Sequence, residues 1–160
     1  MRSLGIACLL TLMAASAAHA ADVGVFPVQG TNLNEGEMAA IGQLIASAYA
    51  MQSHRPVLGP QELADSLQRT ASERDSAREI GLKEYIHVEA IHLTTRISLY
   101  VSLHNQHGST LYELRDTAYS LDDMPVLSER IALRAAAHCS FQATFSASRP
   151  VSNMTNDLKG

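Results

Sequence analysis

The chain has 160 residues, 46% of them hydrophobic and only 18% charged, which suits one folded domain with one apolar core. Twelve basic residues against 16 acidic ones give a net charge of −4. That balance argues against nucleic acid or an anionic membrane surface as partner.

Residues 1–20 have the layout of a secretory signal peptide. Arg2 supplies a positive start, Leu4 to Ala17 an apolar run, and Ala18-His19-Ala20 a small-residue cleavage site. The run is too short for a membrane-spanning helix, which needs about 20 residues. Cleavage after Ala20 places the mature chain in the periplasm or outside the cell. Gly5-Ile6-Ala7-Cys8 only loosely resembles a lipid-acylation site, because no apolar run precedes Cys8. Cys8 leaves with the leader, so Cys139 has no internal disulfide partner and is expected as a small buried apolar residue.

In the mature chain, Val23 to Val28 is β-branched and predicts a strand ending near Pro27, with a polar loop over Gln29 to Leu33. Asn34 and Glu37 have the spacing of a capping box. Met38, Ile41, Leu44, Ile45 and Ala48 then follow the i, i+3, i+4, i+7 rule of a helix that Tyr49 and Met51 close. Arg55 to Leu58 predicts a short strand, Gly59-Pro60 a helix start, and Gln61 to Arg69 a short helix. A further helix is expected over Ser72–Ile80, with Gly81 ending it in a left-handed conformation. Its alternating charges, Glu73, Arg74, Asp75, Arg78 and Glu79, predict a solvated face.

Ile86, Val88 and Ala90 alternate with His87 and Glu89, whereas Ile97, Leu99, Val101 and Leu103 put the apolar set on odd numbers. A strand cannot change faces midway, so the switch predicts a turn at Leu93-Thr94-Thr95. That turn sets His92 near Arg96 and His87 near Val101. Asn105 to Ser109 predicts a second turn, and Thr110 to Thr117 a third strand. Ser120 or Asp122 caps a last helix with Pro125 in its first turn, continued by Met124, Leu127, Ile131, Ala135, Phe141 and Phe145. Residues 21–145 thus form a single domain, and Ser146 to Gly160 a flexible tail.

No residue pattern points to catalysis. There is no Gly-x-Ser-x-Gly elbow, and neighbouring His138 and Cys139 project about 100° apart on a helix. The acidic pairs Asp122-Asp123 and Glu35/Glu37 stand at helix starts, where the macrodipole favours them. With Lys83 and Lys159 as the only lysines there is no phosphate loop, and no cofactor is expected. Of the histidines, His87, His92, His104 and His107 lie in the strand region. At about 3.3 Å per residue, His92 and His104 stand over about 20 Å apart, too far to share an ion. No metal site is therefore expected. The alternative is a small-ligand or metal-ion binder built on the histidine-bearing sheet.

Taken in order, the elements read β-α-β-α-α-β-β-β-α: an α/β (α+β) two-layer domain, a mixed sheet with helices packed on it. The last three strands form an antiparallel meander. Val23-Gly24-Val25-Phe26-Pro27-Val28 resembles the opening strand of the TolB amino-terminal, curli-secretion and penicillin-binding-protein-activator group of envelope domains. The run from Ala77-Arg78-Glu79-Ile80-Gly81-Leu82 to Val88 is similar to that group's helix–glycine–strand junction. Leu99-Tyr100-Val101 through Gly108-Ser109-Thr110-Leu111-Tyr112 is similar to its glycine-turn hairpin. The resemblance covers nearly all of residues 22–145. It implies a non-catalytic interaction module that contacts other envelope proteins, with association between copies left open. Neither the lipid anchor of several members nor the propeller of TolB is carried over. The candidate contact surface is the outward face of the second meander strand: Arg96, Ser98, Tyr100, Ser102 and His104.

Overall fold

A computed structural model describes the backbone of residues 21–147 and the side chains of residues 21–138. Residues 1–20, read above as a signal peptide, the side chains of Cys139, Phe141 and Phe145, and residues 148–160 lie outside the described residues.

A six-stranded mixed sheet runs in the order β3-β1-β4-β5-β6, with β2 pairing β4 beyond the end of β1. The strands are β1 (Val23–Val25), β2 (Gln29–Thr31), β3 (Val57–Leu58), β4 (Glu84–Leu93), β5 (Arg96–Asn105) and β6 (Thr110–Ala118). Four helices pack on it: α1 (Glu35–Ser53), α2 (Pro60–Arg69), α3 (Glu73–Glu79) and α4 (Met124–Ala147), the last preceded by a 3-10 turn over Leu121–Asp123. β1, β2 and β3 join in parallel, and β4–β5–β6 form the antiparallel meander.

The expected loop at Gln29–Leu33 is instead strand β2 over Gln29–Thr31, aligned with Glu89–Ile91. β4 has ten residues and β1 uses only Glu84–Ile86, so the chain beyond Pro27 meets a second stretch of open edge and pairs with it. All three β2 residues are exposed, which is why no apolar alternation marked them. The strand expected over Arg55–Leu58 contracts to Val57–Leu58, and the Arg55 guanidinium instead bonds Glu84.

The capping box forms as its spacing predicts: Asn34 Oδ1 accepts from Glu37 N at 2.9 Å, and Glu37 Oε2 from Asn34 N at 2.8 Å. Ile41, Ile45, Ala48 and Tyr49 of α1 and Met124, Leu127, Ile131 and Ala135 of α4 then cover one sheet face. They meet Ile86, Val88, Ala90, Ile97, Leu99, Val101 and Leu103. Burying those side chains is the main drive to fold. α4 continues through Ser146 and Ala147, where the tail was expected to begin, since neither residue breaks a helix.

A second cluster, Phe26, Leu63, Ala77, Leu82 and Tyr85, lies on the opposite face. Gly24 shows why the two approach closely: a Cβ there would stand 2.5 Å from Leu82 Cδ1 and 2.7 Å from Leu63 Cδ1. α2 and α3 thus cover that face at one end, tied together by the buried Ser76 Oγ to Ser66 Oγ bond of 2.6 Å.

α3 passes into β4 through Gly81, at φ +76. Nothing lies near a Cβ there, so replacement strains only the backbone. Gly81→Ala is expected to cost about 1–2 kcal/mol in urea unfolding, the usual penalty for a left-handed residue with a side chain.

Candidate functional site

The meander exposes the face that α1 and α4 do not cover. Because strand side chains alternate, Tyr85, His87, Glu89 and Ile91 of β4 share it with Ser98, Tyr100, Ser102 and His104 of β5 and Glu113, Arg115 and Thr117 of β6. The turn between β4 and β5 takes only Thr94 and Thr95, with Leu93 paired to Arg96. That is one residue shorter than the turn the sequence suggested, so the register shifts by one. His87 stands opposite Ser102 rather than Val101, His92 opposite Ile97 rather than Arg96, and Tyr85 opposite His104.

At one end the face is closed. Phe26 meets the Tyr85 ring edge-on (5.6 Å between centroids, 85°), and Tyr85 stacks on His104 (5.0 Å, 21°). His104 Nε2 lies 2.8 Å from Ser102 Oγ, and its Nδ1 3.3 Å from Thr110 Oγ1. From α3, Glu73 brings both carboxylate oxygens to 2.9 Å from His87 Nδ1, while His87 Nε2 is 3.3 Å from Glu89 Oε1. Two expectations change here. Glu73 is not part of a solvated face: its side chain is 14% exposed and that of His87 17%. Ser102, placed on the outward contact surface by its parity, is only 3% exposed. α3 packs against β4 and brings Glu73 onto His87, the residue opposite Ser102, from a distance in sequence that strand periodicity does not report.

The two imidazoles are driven apart in acidity. The Glu73 hydrogen bond holds the His87 pKa above the usual 6.5, against the opposing effect of burial. Burial, followed by the charge of His87, pushes that of His104 below it. The Ser102–His104 contact resembles a nucleophile with its base, but Ser102 is out of reach of a substrate. The carboxylates at hydrogen-bond distance serve His87 and not His104. Among the described residues no three His, Cys, Asp or Glu side chains gather around a point that could hold a metal ion.

At the other end the face opens into a depression of about 340 Å³ lined by Glu89, Ile91, Ser98, Tyr100, Arg115 and Thr117. The Arg115 guanidinium lies 5.2 Å from the centre of the Tyr100 ring. The Glu113 carboxylate on the neighbouring strand raises the Tyr100 phenol pKa. Arg96 is exposed beside the tight turn, and Ser98, Tyr100 and His104 are half-buried. The structure therefore gathers Ser98 and Tyr100 at the depression, sends His104 to the closed end and buries Ser102. Of the two charged residues absent from the sequence reading, Arg115 lines the open end and Glu113 stands opposite Ser102. Their alternation in Glu113-Leu114-Arg115 was the available signal.

No helix among the described residues is long and apolar enough to cross a membrane. No family model matches the chain, and no curated protein matches it. Its fold, however, matches solved structures. The PelC dodecamer from Paraburkholderia phytofirmans superposes with TM-score 0.50 at 10% identity over 74% of this chain and 86% of PelC. TolB from Acinetobacter baumannii gives 0.51 at 8% identity over 74% of this chain, which spans only 28% of TolB. LpoB from E. coli gives 0.51 at 16% identity over 61% of this chain and 55% of LpoB.

Proposed function

The chain has an LpoB- and TolB-like fold, and from that premise we propose that it is an exported, non-catalytic interaction module of the cell envelope. One observation carries the reading: the fold leaves the open half of the meander face as a shaped, charged and aromatic surface, while its histidines are engaged at the closed half. The sequence resemblance to envelope domains and the leader over residues 1–20 support the same assignment. In this reading the partner is an envelope protein that meets Arg96, Ser98 and Tyr100, with Arg115 presented over the Tyr100 ring. Aromatic and arginine side chains in such positions dominate interface energies.

Capture from an envelope extract tests it, with Tyr100→Ala against an α2 control, Gln61→Ala. Loss of Tyr100 is expected to cut recovery of the partner on the order of tenfold, the control leaving it unchanged. Equal recovery by both would reject this surface.

A further inference from the structure

We propose that β6 and the adjoining stripe of α4 form a two-fold interface with a second copy of this chain. Among the described residues β6 pairs only with β5, so its other edge carries backbone N–H and C=O groups with no strand beside them. Natural edge strands are guarded by charge, and here the guards are Glu113 and Arg115, on the same face two residues apart. Antiparallel pairing of two copies about an axis normal to the sheet admits only registers centred on a residue, since paired side chains must share a face. Centring on Glu113 sets glutamate on glutamate, and centring on Arg115 sets arginine on arginine. Centring on Leu114 sets Glu113 of each copy opposite Arg115 of the other, twice over. Opposite charges across a strand pair stabilise it and like charges oppose it. The edge thus repels generic partners yet is complementary to itself in one register.

A strand edge alone covers only part of the about 800 Å² per partner that a stable interface needs. The rest comes from α4. Arg130 reaches the edge strand with Nε and Nη2 at 2.7 and 2.8 Å from the Asp116 carboxylate, which fixes the helix face turned toward β6. On that face, at i−4 and i+3 from Arg130, stand Val126 and Leu133, 65% and 57% exposed. Tyr119, 83% exposed, follows the strand directly. These apolar groups adjoin the unpaired edge, where the second copy would cover them.

The test is sedimentation and light scattering on the purified full chain, independent of any envelope partner. The wild type is expected to dimerise. Glu113→Arg sets arginine on arginine and Arg115→Glu sets glutamate on glutamate in that register, so each should weaken self-association about tenfold or more. Mixed together, the two variants regain both opposite-charge pairs and should form a 1:1 heterodimer. Leu133→Asp, at an exposed position that leaves the core intact, should also weaken the dimer. A wild type monomeric at every concentration overturns the proposal. So does failure of the two variants to pair on mixing.

Discussion

Phe26→Ala is expected to lower the unfolding free energy by about 3–5 kcal/mol, the range for emptying an aromatic site in a core. Phe26 is fully buried at the point where the chain leaves β1, and its N–H is held by the Ile86 carbonyl at 3.0 Å. Its ring is the largest apolar member of the small second cluster, edge-on to Tyr85 and packed with Leu63, Ala77 and Leu82. The main core between the sheet and α1–α4 can survive its removal, but α2 and α3 have little else to bury. The loss is a large share of the total stability of an ordinary domain, about 5–15 kcal/mol. Phe26→Leu, which keeps much of the volume, should cost under about 1.5 kcal/mol. Urea unfolding of both variants measures the difference. A loss below about 1 kcal/mol for the alanine variant would show that the second cluster does not anchor these helices.

Glu73→Gln should lower stability by about 1–2 kcal/mol below pH 6.5 and change its pH dependence. His87 binds its proton more tightly folded than unfolded, so its contribution is full below the unfolded value of 6.5 and is lost as pH rises through its raised folded value. His104 behaves oppositely. Its folded state favours the neutral ring, so its contribution is full above 6.5 and is lost as pH falls through its depressed folded value. Together they give greatest stability near 6.5, with a decline on either side. Glutamine cannot pair with the imidazolium as a carboxylate does, so the alkaline decline should shrink to the part that Glu89 sustains. The acid decline should remain, because it rests first on burial of His104. Thermal unfolding of both proteins on either side of pH 6.5 distinguishes the cases. Identical profiles for wild type and variant would contradict the pairing.

These two sites mark where the sequence ceases to be legible. The capping box at Asn34 and Glu37, the parity change between Ala90 and Ile97, and the turn at Asn105–Ser109 are local instructions, and the structure follows them. Strand parity likewise placed Ser98, Tyr100, Ser102 and His104 on one face. What escaped was set by distant chain. β2 is a strand only because β4 is long enough to pair with it. Glu73 meets His87 only because α3 packs against β4, with Ala77 seated in the cluster of Phe26 and Leu82. His87 and His104 are neighbours because the two-residue turn sets His87 opposite Ser102 and Tyr85 opposite His104.

The parallel half of the sheet has a consequence for how the molecule comes into being. A chain made from its amino end produces Val23–Val28 before anything exists for it to lie against. Its template, Glu84–Ile91, is released only much later. The two hairpins close quickly between sequence neighbours, so β1 and β2, made long before them, should be the last strands to find their places. In that interval Val23, Val25, Phe26 and Val28, all buried in the folded protein, stay uncovered, and a holding chaperone would be expected to shield them.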